Sequence, residues 1–261
     1  MNKKVILILV DGMRPDGFIE CGNPFINEML SGSSYTLDGR SVFPSVTLPC
    51  HMSLFHSVDP ERHGVTTNTY VPQVRPIKGL IDRLGDFGKR AAIYYTWEEL
   101  RDISRPDAIS DSLYISGHRH DDVGARITDA AVKFIQSDEP DFLFLYIGKT
   151  DSIGHKYGWM SPEYIEAVND AVGYIEKVYR ILGDEYVLIV TADHGGHGRS
   201  HGEDIPEDMT IPFFFFGDMF EKGKVLGSVS LKDVAPTVTE LMGVPAVEDW
   251  EGHSILSDIN G

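Results

Sequence analysis

Val5-Ile6-Leu7-Ile8-Leu9-Val10-Asp11-Gly12 runs through six consecutive apolar residues and stops on a carboxylate. An apolar run of that length without polar alternation reads as a strand covered on both faces, as in parallel sheets. The same pattern returns in Ala91–Tyr95, Phe142–Ile147, Tyr186–Thr191 and 211–216. Helical patterns lie between these runs. Residues 121–137 space Val123, Ile127, Ala130, Ala131, Phe134 and Ile135 on one face. Ser161-Pro162 opens a second helix, expected to reach about residue 182, with proline at the first helical position. A third, 231–242, stops at Gly243 and Pro245. This alternation predicts an α/β fold, a mainly parallel central sheet sandwiched by helices on both faces. No internal repeat, low-complexity tract or linker divides residues 1–261, so a single domain is expected.

Three of the apolar runs lead into chemically loaded residues. Val10 leads to Asp11, Ile147 to Asp151, and Thr191 to Asp193-His194. In open α/β sheets, ligand sites lie outside the carboxyl ends of the strands, so these groups are expected to converge on one edge. The densest stretch is Asp193-His194-Gly195-Gly196-His197-Gly198-Arg199-Ser200-His201, one carboxylate and three imidazoles within nine residues. Zinc favours such nitrogen and oxygen donors; the alternative is a solvated turn with locally bonded histidines. Asp151 and His155 stand at i and i+4, where a helix would aim both at one ion. Asp11 alone reads equally as an Asp-Gly turn, and Asp16 as a weaker candidate of the same type. Arg14 could pair with either acid. Thr47, in Ser45-Val46-Thr47-Leu48-Pro49-Cys50, sits where a loop is expected to enter a helix at Pro49. Free backbone N–H groups there would cradle a phosphate, although taken alone Thr47 reads as a helix N-cap. His51, His56, His63, His118, His120 and His253 read as packing, capping or surface groups.

The chain carries 40 acidic and 23 basic residues, a formal net charge of −17. Such a field repels bulk nucleic acid and anionic membrane, so neither a nucleic-acid-coating role nor a membrane partner is expected. A site for anionic substrates in this chain needs local positive charge, which bound metal ions supply. With only Cys21 and Cys50 there is no disulfide framework, so a reduced setting is expected. The first apolar run is too short for a secretory signal and no stretch approaches membrane-spanning length, so a cytoplasmic location is expected.

Together these residues resemble the alkaline phosphatase superfamily, in its type I phosphodiesterase/nucleotide pyrophosphatase branch. The resemblance is carried by V-D-G-M-R-P-D around Asp11, by F-P-S-V-T-L-P-C-H-M-S-L-F-H from Phe43, and by D-S-I-G-H at Asp151. It continues through T-A-D-H-G-G-H-G at Thr191, H-G-E-D-I-P-E-D-M-T-I-P-F at His201 and D-V-A-P-T-V-T-E-L-M-G at Asp233. It thus spans nearly the whole chain and implies an alkaline phosphatase-like core with no large cap domain. It also implies two divalent metal ions, usually zinc, with manganese or magnesium as alternatives. Asp151, His155 and His201 would hold one ion. Asp11, Asp193 and His194 would hold the other, with Thr47 bound to it as nucleophile. Spacing alone leaves His197 open in place of His201. The implied activity is hydrolysis of a small phosphorylated substrate, a diester or pyrophosphate, through a phospho-threonine. A phosphomonoesterase or phosphonate hydrolase is the alternative within the superfamily, and a non-catalytic metal-binding protein the alternative outside it. Relatives commonly place an asparagine three residues after the nucleophile, where this chain has Cys50; Leu48, Cys50 and Arg199 are therefore the expected substrate contacts, with Lys149 in reserve. Any lid is expected between residues 66 and 120, where Tyr94, Tyr95, Trp97 and residues 118–120 could line an entrance.

Overall fold

The computed structural model describes residues 2–259. One seven-stranded sheet organises them. Its strands are β1 (Lys4–Val10), β2 (Ser34–Arg40), β3 (Ala91–Tyr95), β4 (Asp111–Tyr114), β5 (Phe142–Ile147), β6 (Tyr186–Thr191) and β7 (Thr210–Phe216). Their spatial order is β2-β7-β6-β1-β5-β3-β4. β1 is central and pairs in parallel with β5 and β6, and β3 pairs in parallel with β5 and β4. β7 runs antiparallel to both its neighbours, β6 and β2. The mainly parallel sheet flanked by helices agrees with the expectation.

Five strands coincide with the apolar runs, because burial on both faces is written directly into such a run. Val5 to Val10 are all 0% exposed. β2 and β4 went unforeseen, and for the same physical reason. Ser34-Tyr-Thr-Leu-Asp-Gly-Arg40 and Asp111-Ser-Leu-Tyr114 sit at the two sheet edges, are only partly buried, and mix polar with apolar residues.

The helices that position the site are α1 (Thr47–His56), α2 (Val123–Asp138), α3 (Lys149–Tyr157), α4 (Pro162–Tyr179) and α5 (Val234–Leu241). Ser161 caps α4, its hydroxyl accepting from Tyr164 N–H, and Pro162 opens it as the sequence suggested. α5 is preceded by a separate 3₁₀ turn, Leu231–Asp233, which shortens the helix expected over 231–242. Between β6 and β7 the chain forms only one short helix, Pro206–Met209. No described helix is long and apolar enough to cross a membrane, and Cys21 and Cys50 are both free thiols.

Candidate active site

Asp11 leaves the end of β1, Asp193 and His194 follow β6, and Asp151 with His155 lies on α3 just after β5. Adjacent parallel strands bring these ends together. Among the described residues two trios form, Asp11/Asp193/His194 and Asp151/His155/His201, and the ligand atoms of each lie within 4.8 Å of one another. The His194 and His201 rings stack at 3.8 Å and 13°, joining the trios face to face.

Each carboxylate in the first trio has one oxygen pinned and one left over. Asp193 Oδ1 accepts from the N–H groups of Gly12 (3.1 Å) and His194 (3.0 Å), while Oδ2 has no hydrogen-bond partner. Asp11 Oδ2 accepts from the Tyr146 hydroxyl, while Oδ1 is unpartnered; so is Asp151 Oδ1 in the second trio. The imidazoles follow the same logic. Nδ1 of His194 faces the Gly195 carbonyl (2.7 Å), that of His155 the Arg199 carbonyl (2.9 Å), and that of His201 the Ser45 carbonyl (2.8 Å). A carbonyl only accepts, so each Nδ1 carries the proton and each Nε2 presents a lone pair. The Nε2 atoms of His155 and His201 then face each other at 3.2 Å, and both face Asp151 Oδ1, at 3.4 and 3.5 Å. Lone pairs and orphaned oxygens packed this closely repel one another unless a cation lies among them. Donor types, orientation and backbone-anchored imidazoles all fit two divalent ions of zinc character.

Electrostatics agree. Burial first, then the charges of Asp193 and Asp151, pushes the Asp11 carboxyl well above its usual range, and burial raises Asp193 as well. Burial holds His194 below its ordinary value and His201 down to about 4, with His194 as the next cause for His201. His194 and His201 are therefore neutral, as ligands must be, and the Asp11 and Asp193 carboxyls await a positive partner.

Thr47 is the first residue of α1, two positions earlier than expected. Val46 is the N-cap and makes no side-chain cap bond. The Thr47 hydroxyl is thus free of a capping role and stands 3.2 Å from His194 Nε2. His51, one turn on, is wholly buried; its Nδ1 donates to the Thr47 carbonyl (2.7 Å) and lies 3.6 Å from Asp193 Oδ2.

A cleft of about 450 Å³ opens over Thr47 and the second trio. Trp97, His118, His120 and Lys149 also line it, from the stretch suggested as a lid and from the start of α3. Tyr94 and Tyr95 are buried in β3 and belong to the core instead. Other expected contacts lie elsewhere. Cys50 is 0% exposed with its sulfur 3.3 Å from Ser41 Oγ, because the α1 turn directs it into the core. Arg199 is exposed and outside the cleft lining; only its carbonyl takes part, through His155. Leu48 N–H donates to Asn68 Oδ1 (3.0 Å). His197 points away from both trios, its Nδ1 donating to Asp208 Oδ1 (2.8 Å). Arg14 pairs with Asp16 rather than Asp11. Asn68 and Tyr146, which also line the cleft, were missed. Asn68 lies in a polar Thr-Thr-Asn-Thr turn without a motif, and Tyr146 reads as one more apolar residue of β5.

The fold and the paired trios place the chain in the alkaline phosphatase-like superfamily. Residues 5–204 match the type I phosphodiesterase/nucleotide pyrophosphatase family, and the chain belongs to it. Human ectonucleotide pyrophosphatase/phosphodiesterase family member 7 is 26% identical over 252 residues, covering 84% of this chain and 53% of that protein. A 2,3-bisphosphoglycerate-independent phosphoglycerate mutase of Clostridioides difficile is 30% identical over 139 residues, half of this chain and 27% of the mutase. The chain thus spans from about a quarter to about half of these relatives. The structure of human ectonucleotide pyrophosphatase/phosphodiesterase 5 shares the fold, with TM-score 0.83 at 14% identity over 99% of this chain and 100% of that one. A 2-O GAG sulfatase shares it with TM-score 0.78, also at 14% identity, over 100% of this chain and 75% of that one.

Proposed function

We propose that this chain is a two-metal hydrolase of phosphate diesters or pyrophosphates that acts through a phospho-threonine at Thr47. The observation that carries the reading is the Thr47 hydroxyl, 3.2 Å from His194 Nε2 and released from any capping duty, beside the orphaned oxygens of Asp11 and Asp193. Asp11, Asp193 and His194 would hold one ion and Asp151, His155 and His201 the other. Bound ions supply the positive charge that favours a deprotonated hydroxyl and a departing oxygen. Thr47 Oγ1 attacks phosphorus, the ester oxygen departs and takes up a proton, and water later displaces Thr47 from the vacated side. Asn68 Oδ1 already accepts from Leu48 N–H, so its amide N–H groups remain to hold a phosphate oxygen.

Preference for a diester has its own support. Lys149 is the only Lys or Arg among the described residues lining the cleft, which also include Asp11, Asp121 and Asp151. With the two ions offsetting the carboxylates that would hold them, Lys149 is the one cationic side chain of this lining left to meet the second negative charge of a monoester, a demand that a singly charged diester does not make. Zinc and a cytoplasmic, reducing location belong to the same proposal, supported by the His-rich donor set and the two free thiols. Metal analysis with zinc-loaded protein, assayed on p-nitrophenyl phosphate and its bis ester, tests it. Thr47→Ala should keep the metal stoichiometry and lose turnover; near-normal turnover in that variant would sink the proposal, and faster cleavage of the monoester would select the phosphomonoesterase reading.

A further inference from the structure

Three glycines stand beside the candidate ligands: Gly12 after Asp11, Gly154 before His155, and Gly196 two residues past His194. All three pack on one side chain. A Cβ at Gly196 would lie 2.2 Å from Trp159 Cε2, one at Gly154 2.7 Å from the same atom, and one at Gly12 3.3 Å from Trp159 Cζ2. The indole occupies the space that side chains at Gly154 and Gly196 would need; at Gly12, where φ is +67°, it shares that place with Asp151, whose Cα and Cβ stand equally near at 3.3 Å.

Trp159 is 7% exposed and anchored at both ends. Its Nε1 donates to the Gly12 carbonyl (2.9 Å), and its backbone N–H to the Gly198 carbonyl (2.8 Å). Its ring meets His155 at 5.1 Å and 84°, and His201 at 5.8 Å and 64°. One rigid side chain therefore touches the segment after β1, helix α3 and the loop after β6, which together carry all six candidate ligands. An indole N–H only donates and titrates nowhere near neutrality, so Trp159 brings no acid–base chemistry of its own.

We infer that Trp159 is a positioning residue that sets the placement of the Asp151/His155/His201 trio relative to Asp11/Asp193/His194. The inference rests on reading the trios as metal sites. Close-packed interiors transmit displacements rather than absorb them. Losing the indole loosens the packing of α3 and the 195–201 loop against Gly12, leaving in place the bonds of Gly12 N–H to Asp193 Oδ1 and of Arg14 to the Gly196 carbonyl. His155 and His201 lose the surface that orients their rings. Partners that orient ligating groups typically govern metal affinity by about 10- to 100-fold.

The test titrates metal-free protein with zinc against a chromophoric chelator, with circular dichroism and melting recorded in parallel. Wild type should take up two tightly bound ions. Trp159→Leu should retain one tightly and bind the other at least about tenfold more weakly, with turnover recovered at high zinc. Trp159→Phe, which keeps a ring but loses the N–H, should fall between. Gly154→Ala gives the decisive comparison, because alanine is favoured over glycine within a helix and any loss must come from the clash with the indole. It should weaken zinc binding in the wild-type background and do no harm in the Trp159→Leu background, a coupling that a merely structural role would not produce. Two tight ions in every variant, or equal damage from Gly154→Ala with the indole gone, would overturn the positioning role. If Trp159→Leu fails to fold, weaker zinc binding by both Gly154→Ala and Trp159→Phe supports that role, and two tight ions in both overturn it. Wild type that binds no zinc would instead overturn the reading of the trios, and this inference with it.

Discussion

Replacing Tyr146 by phenylalanine removes a single oxygen from the centre of the site and leaves the ring that packs against His51 in place. That oxygen is the one partner of Asp11 Oδ2, and Asp11 Oδ1 has none, so the variant leaves the carboxylate with no hydrogen bond from a side chain. Burial raises the Tyr146 phenol well above its ordinary value, so it remains a donor throughout the neutral range. The penalty falls unequally on the two states of the protein. Without metal, Asp11 leans toward its neutral form, which needs the tyrosine least. With metal it is a carboxylate and loses a hydrogen bond to a charged acceptor, about 1.5–3 kcal/mol. At about 1.4 kcal/mol per factor of ten, the ion held by Asp11, Asp193 and His194 should bind roughly 10- to 100-fold more weakly. The hydroxyl also lowers the Asp11 pKa, so its loss should move the pH dependence of metal uptake to higher pH. Competition titrations with a chromophoric chelator between about pH 6 and 8.5 measure both effects. Affinity within twofold of wild type and an unmoved pH profile would refute the argument that Tyr146 orients Asp11.

Asp11→Asn should make the metal-free protein more stable at neutral pH, by melting temperature in chelator. The folded-state pKa of Asp11 is raised, so its contribution is present below the unfolded value and is lost as pH rises; the advantage of asparagine should vanish in acid. His197 gains from its bond to Asp208, which raises its pKa; the stabilisation is therefore full below its unfolded value and lost as pH rises through the folded one. Denaturant titrations of His197→Ala should accordingly show a larger deficit at about pH 6 than at about pH 8.5. In the native protein a thiol reagent should modify half-buried Cys21 and spare Cys50, whose thiol burial pushes up; modification of both at equal rates would contradict the inward placement of Cys50.

The central sheet was legible because a strand buried on both faces shows itself locally, as an unbroken apolar run. β1, β3, β5, β6 and β7 all satisfy that condition, whereas β2 and β4 at the edges do not. The candidate ligands were legible for a related reason. Asp11, Asp151, Asp193 and His194 lie at or just past strand ends, and a parallel sheet sends those ends to one edge. Composition and spacing could go no further, since both describe positions along one chain. Whether His197 or His201 joins Asp151 and His155 depended on where the 195–209 loop folds back, and Asp208 takes His197 away from the cleft. The inward turn of Cys50, the approach of Asn68 to Leu48 and the tyrosine on Asp11 are contacts between residues 9, 20 and 135 positions apart. The glycines of the Asp-Gly, Gly-His and His-Gly-Gly motifs were visible in the sequence, but their shared neighbour was not. Gly154 and Gly196 make room for one indole, Gly12 borders it while holding a φ of 67°, and only the assembled fold brings Trp159 to all three.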